Sequence, residues 1–157
     1  MMIIDYTELY KEDVKNLLLE LQEHIHSVDP EGYNIVGPDY REMAFLDTME
    51  DVNKYDGKIM LYIEDNQVLG MVIGIINNDV EETYNFRAPK RGRISELVVK
   101  KDVRSKGIGS ILLKKMEEYL HSVGCESILI GCFAYNSEAV EFYEKNGYHN
   151  RMIDMIK

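Results

Sequence analysis

The sequence predicts a single α/β domain spanning residues 1–157, and three observations carry that expectation. A chain of 157 residues suits one hydrophobic core, because chains of this size bury most of the surface that their unfolded state exposes. Segments whose apolar residues recur at every third or fourth position alternate with short runs rich in Ile, Val, Leu and Tyr, which is the mixed periodicity of helices and strands. Two such runs, Lys58–Glu64 and Gln67–Asn77, are separated only by Asp65-Asn66, a composition suited to a tight hairpin turn.

The elements follow in order. Residues 2–6 form a short apolar segment. Val14, Leu17, Leu18, Leu21, Ile25 and Val28 then lie on one helical face and predict a helix over 10–27. Asp29-Pro30-Glu31-Gly32 ends it, and an irregular stretch to Pro38 precedes a second helix over 39–53. In the second hairpin strand, Gly70 and Gly74 suggest a bulge or a close backbone approach. Residues 78–91 are polar, carry Pro89 and read as a loop. A strand follows over 93–100. Ile108, Ile111, Leu112, Met116, Tyr119, Leu120 and Val123 form one stripe, with Gly124 as the stop. Residues 127–133 read as a strand, and Asn136 reads as the N-cap of a helix that turns Ala139, Phe142 and Tyr143 inward and ends at Gly147. A last strand over 148–156 is expected to close the domain.

Composition narrows the function. With 45% hydrophobic and 29% charged residues, the chain belongs with folded soluble proteins rather than disordered ones. The opening residues, Met1-Met2-Ile3-Ile4-Asp5, lack the basic head and long apolar run of a secretory signal or anchor, so a cytoplasmic location without membrane attachment is expected. Cys125 and Cys132 read as two reduced, buried thiols. His24, His26, His121 and His149 form no cluster, so no metal is expected. A net charge of −10 argues against nucleic-acid binding. Its distribution is uneven: residues 1–86 hold 19 acids against 5 Lys and Arg, and residues 87–157 hold 9 acids against 13. A polyanion suits the C-terminal half.

The segment from Glu96 to Ser110 supplies a place for one. It runs from strand through a glycine-bearing loop into the best-defined helix, where unpaired backbone N–H groups and the helix dipole favour an anion. Arg104 and Lys106 add cationic side chains. A nucleotide P-loop would need Gly-Lys-Ser/Thr after four spacers, which is absent. A dinucleotide fingerprint would need a third glycine where Leu112 stands.

The spacing Arg104-x-x-Gly107-x-Gly109 resembles the acetyl-CoA signature of the GNAT superfamily of N-acetyltransferases. Asn136-x-x-Ala139-x-x-Phe142-Tyr143-Glu144-Lys145-x-Gly147-Tyr148 resembles the downstream motif of the same family. The likeness covers nearly the whole chain and is densest from Ile94 to Tyr148. Lys101 stands where many members have proline, and Ser105 where many have glycine. The resemblance implies a mixed, largely antiparallel sheet, splayed near Leu97 to Val99 to admit the coenzyme, with helices on both faces.

The resemblance also implies the chemistry: direct transfer of acetyl from acetyl-CoA to a primary amine, without an acetyl-enzyme. Backbone groups of Leu97, Val98 and Val99 would pair with the pantetheine arm, and the N–H of Val98 or Val99 would face the thioester oxygen. The amides of Arg104, Ser105, Lys106, Gly107, Ile108 and Gly109 would hold the pyrophosphate, with Ser110 adding a hydroxyl. Asn136 would touch the pantetheine or cap its helix, and Tyr143 would protonate the departing thiolate. The ammonium form of the acceptor must lose a proton. Glu96, on the strand that presents the thioester, or ordered water would accept it. Tyr33 and Tyr40 flank the irregular segment that often lines the acceptor pocket in this family. The acidic N-terminal half points to a cationic small-molecule or peptide amine, and a homodimer is compatible with the family. A coenzyme A sensor without turnover is the rival reading. It would need the loop but neither Glu96 nor Tyr143.

Overall fold

The computed structural model describes residues 1–77 and 81–157 and contains one five-stranded sheet in the order β1-β2-β3-β4-β5. Strands β1 (Met2–Asp5), β2 (Lys58–Glu64), β3 (Gln67–Asn77) and β4 (Arg91–Val99) pair antiparallel. The last, β5 (Ser127–Ile130), joins β4 in parallel. A parallel neighbour needs a crossover, which helix α3 (Ile108–Ser122) supplies. Helices α1 (Lys11–Val28) and α2 (Tyr40–Lys54) cover one face of the sheet. Helix α3 covers the other, together with α4 (Ser137–Lys145).

Strand β3 is central, and its residues 68–76 are all buried, which explains why its sequence is continuously apolar rather than alternating. Met71 and Ile73 point to α1 and α2, where Val14, Leu17, Leu18 and Phe45 meet them. Val72 and Ile76 point to α3, where Leu112, Leu113, Met116 and Leu120 meet them. Asp65 (φ 49°) and Asn66 (φ 60°) both take the left-handed conformation that a two-residue hairpin turn requires. These two residue types tolerate it because their short polar side chains bond locally. Lys15, only 5% exposed, joins α1 to α2. Its Nζ lies 2.7 Å from Glu42 Oε2 and 3.1 Å from Glu12 Oε1, so the buried charge is paired twice.

Most expected elements form within one or two residues of their expected bounds. The glycines of β3 mark both of the features expected of them: a bulge places Leu69 opposite no residue of β2, and a Cβ on Gly74 would meet Met116 Sδ at 2.5 Å. Four expectations need correction. Ile111 is 39% exposed, and Leu113, at 1%, takes the core position instead. Cys132 is exposed, not buried. Strand β5 stops at Ile130 rather than running to 133, because its partner β4 diverges from it there. The expected closing strand is absent. Residues 148–157 form no ladder, and Met152, Ile153, Met155 and Ile156 are exposed, since strand composition needs a paired edge to become a strand. Of the expected loop over 78–91, residues 78–80 lie outside the described residues, 81–90 are irregular apart from one Thr83–Phe86 bridge, and Arg91 already belongs to β4.

Candidate active site

The site begins with an irregularity in β4. Ile73 of β3 faces Glu96, yet the next residue, Gly74, faces Ile94, so Ser95 is an extra residue bulged out of the ladder. Without the bulge, Ile94 and Glu96 would share a face. With it, Ile94 packs into the α3 core while Glu96 turns to the α1 and α2 side, the side that Val98 also faces. On the other edge, β4 pairs with β5 only from Arg91 to Ile94 and then continues alone to Val99. The backbone groups of residues 95–99 on that edge therefore border a cleft between the parted strands.

Glu96 lies on the floor of a cavity of about 270 Å³. Ile73 and Ser95 share the floor, Leu18 of α1 closes one end, and one flank of α2 forms the wall through Tyr40, Met43, Ala44, Asp47, Thr48 and Asp51. Burial pushes the Glu96 carboxyl up to about 7, against the opposing pull of the nearby Arg93 guanidinium. A carboxyl poised there can exchange a proton at neutral pH. Tyr40, which the sequence singled out, borders the same cavity, and burial together with the Glu96 charge raises its phenol. Tyr33, 74% exposed, does not line it.

Tyr143 sits on the inner face of α4, edge-on to Phe142 and Tyr148 at ring distances of 5.3 and 5.9 Å. Burial foremost, then the charges of Cys132 and Glu96, push its hydroxyl up to about 12. It therefore stays protonated at neutral pH. Tyr143 packs against the α3 core, and Glu96 faces the cavity on the α2 side of the same sheet.

The loop between β4 and α3 has a backbone geometry that can receive an anion. Ser105 (φ 63°) and Gly107 (φ 82°) are both left-handed, an alternation that turns successive N–H groups toward one side. This explains why glycine suits position 105 and why serine there carries some strain. The first bond within α3 runs from Ile111 N–H to the Gly107 carbonyl at 3.1 Å, so the amides of Ile108, Gly109 and Ser110 find no carbonyl in their own helix. A Cβ on Gly107 would meet nothing within 4 Å, whereas one on Gly109 would meet the Phe142 ring at 3.2 Å. Gly107 thus leaves the mouth of the loop open, and Gly109 lets α3 and α4 pack. Lys106 is exposed at the rim. Arg104 is engaged differently: its Nε donates to the Val99 carbonyl at 3.0 Å and its Nη2 lies 3.9 Å from Glu20. Asn136 caps α4 by accepting from Ala139 N–H at 3.4 Å.

Residues Asp47, Thr48 and Asp51 were not anticipated from the sequence. They lie on the flank of α2 beside its apolar, sheet-packed residues Phe45, Met49 and Val52, and Asp47 and Asp51 are exposed, so the sequence marks them no differently from ordinary solvated helix residues. Among the described residues no group of three or more metal-binding side chains occurs, and no helix is long and apolar enough to cross a membrane.

Residues 18–148 match the model of the acetyltransferase (GNAT) family. Glucosamine 6-phosphate N-acetyltransferase of Arabidopsis thaliana is 24% identical over 108 residues, which is 69% of this chain and 70% of that one. Among solved structures, a protein of Bacillus halodurans superposes with a TM-score of 0.87 at 17% identity, covering 100% of this chain and 98% of that chain. An aminoglycoside N-acetyltransferase in complex with CoA gives a TM-score of 0.69 at 12% identity over 99% and 98% of the two chains.

Proposed function

The chain belongs to the acetyltransferase (GNAT) family, and from that premise we propose that it moves an acetyl group from acetyl-CoA to a cationic primary amine, with Glu96 as base and Tyr143 as acid. The observation that carries the reading is the parting of β4 from β5 after Ile94, which leaves a free strand edge, with Glu96 facing the α2 side of the sheet and Tyr143 packed on the α3 side. The pantetheine arm lies along Leu97, Val98 and Val99. The pyrophosphate rests on the amides that begin α3, beside Lys106. The residues fit this anion because the loop offers unpaired N–H groups and an open approach over Gly107.

In the transfer, the acceptor ammonium gives its proton to Glu96, directly or through water, and the freed amine forms the new carbon–nitrogen bond. A backbone N–H of Val98 or Val99 stabilises charge on the thioester oxygen. As the carbon–sulfur bond breaks, Tyr143 donates its proton to the sulfur, the surplus proton on the new amide nitrogen passes to the tyrosinate through water, and Glu96 releases the proton it took to solvent. The carboxylates of Asp47 and Asp51 on the cavity wall favour an acceptor with more than one positive charge.

The test is a panel of amines assayed with acetyl-CoA for release of free thiol. A polyamine or aminoglycoside is expected to give a higher kcat/KM than a neutral amino compound of similar size, and that advantage is expected to shrink as salt rises. Equal salt dependence for both, or preference for an acidic acceptor, counts against a cationic substrate.

Tyr143→Phe keeps the ring that packs against Phe142 and Tyr148 and removes only the hydroxyl. Turnover is expected to fall by about 10²-fold, the scale of general-acid catalysis, with acetyl-CoA affinity unchanged. A turnover within about threefold of wild type, read under the same criterion, would reduce Tyr143 to a packing residue.

A further inference from the structure

A carboxylate stands where a phosphate loop should not want one. Glu20, on α1, reaches across to the segment between β4 and α3, and its Oε1 accepts the Lys101 N–H at 2.7 Å. The same oxygen lies 3.9 Å from Nη2 of Arg104. Arg104 in turn donates from Nε to the carbonyl of Val99, the last residue of β4, at 3.0 Å. A negative charge in contact with a loop that is to hold a pyrophosphate is electrostatically unfavourable there, so its presence calls for a compensating role.

Resting on the proposed function, we infer that Glu20 is a positioning residue for donor binding: it braces Lys101 and Arg104 so that the phosphate loop is shaped before acetyl-CoA arrives. Lys101 opens a single helical turn, Lys101–Val103, whose first N–H groups have no partner within the turn. Glu20 satisfies one of them. Arg104 follows that turn and immediately precedes Ser105, the left-handed residue that aims the loop's amides. Holding Arg104 between Glu20 and the end of β4 fixes the entry to the left-handed pair, while α3 fixes its exit. Without the brace, the strain at Ser105 is free to relax by swinging the loop away from its anion-binding shape.

The division of labour between the two loop cations follows. Arg104 spends its guanidinium on Val99 and Glu20, so it shapes the site. Lys106, exposed and without an ion pair among the described residues, is the side chain left to meet phosphate. Because Glu20 belongs to α1, whose Leu18 closes the cavity above Glu96, the brace also ties the donor loop to the wall of the acceptor cavity.

The brace predicts the opposite sign from simple charge repulsion. The experiment compares Glu20→Ala and Glu20→Gln with wild type by calorimetry with acetyl-CoA, thermal denaturation and steady-state kinetics. Losing a charge-assisted hydrogen bond that preorganises the loop is expected to raise the Kd and KM for acetyl-CoA by about tenfold in Glu20→Ala. Glu20→Gln should fall between, because its amide oxygen still accepts from Lys101 but no longer pairs with Arg104. Turnover at saturating acetyl-CoA and the KM of the amine should not change, a split that general loosening of the fold would not give. Affinity that is unchanged or tighter in both variants, while wild type binds normally, overturns the inference and leaves the proposed function standing. Failure of wild type itself to bind acetyl-CoA overturns both.

Discussion

Gly107→Val is expected to abolish acetyl-CoA binding in a protein that still folds, with affinity falling by about 100-fold or more as two or more charge-assisted bonds to the pyrophosphate are lost. Two effects act at one residue. The backbone at Gly107 is left-handed, φ 82°, a conformation that a β-branched side chain resists most strongly, so the loop is driven out of its anion-binding shape. The Cβ also projects into open space where the ligand approaches, with no protein atom within 4 Å. For the same reason the fold should survive, because nothing in the core is displaced. Gly107→Asn separates the effects, since asparagine tolerates the left-handed region and adds only bulk. Calorimetry with acetyl-CoA reads the loss, and circular dichroism checks the fold. Unchanged affinity in the valine variant would remove the phosphate loop from the mechanism. The equivalent change at Gly109 is a different experiment, since a side chain there first meets the Phe142 ring at 3.2 Å and pushes α4 away.

Glu96→Gln is expected to lower kcat/KM by about 10²- to 10⁴-fold, the range for losing a general base, and to flatten the pH profile. The wild-type rate should rise through pH of about 7, where the Glu96 carboxyl ionises. Burial sets this direction, since it disfavours the charged form. The same shift has a stability consequence of opposite sign. A carboxyl raised in the folded state from an ordinary value of 4.5 to about 7 holds its proton better folded than unfolded. It therefore imposes no penalty below pH 4.5 and a growing penalty between there and about 7, constant above. Glu96→Gln, which cannot ionise, should accordingly melt higher than wild type at pH 8 and not at pH 4. Loss of activity with gain of stability marks a residue retained for its chemistry. If the variant keeps wild-type rate and profile, ordered water rather than Glu96 is the base.

The fold was largely readable because its elements are locally self-consistent. The Asp65-Asn66 turn, the stripe from Ile108 to Leu120 and the Asn136 cap each state their structure within a few residues. The left-handed loop before α3 was readable for the same reason, as glycine spacing before a helix is a local pattern. What escaped depends on distant partners. The failure of residues 148–156 to form a strand reflects pairing that composition does not encode. The partnership of Arg104 with Glu20 joins residues far apart in sequence, and a lone glutamate on an amphipathic helix carries no mark of it. The contribution of α2 to the cavity was hidden because Asp47 and Asp51, which are exposed, resemble ordinary solvated helix residues until the cavity beside them is seen.

The bulge at Ser95 means that the pairing register of β4, as much as the identity of its residues, specifies the site. The extra residue offsets the strand by one position, and its Oγ donates to the Ile73 carbonyl at 3.4 Å. Drawn into regular register, Ser95 would restore strict alternation. Ile94 and Glu96 would then be forced toward a common side, and either the α3 core would receive a carboxylate or the cavity against α2 would lose one. A carboxylate at position 96 therefore reaches the α2 side only in a strand that keeps the extra residue, and a relative with an unbroken β4 ladder would have to carry its carboxylate one position away.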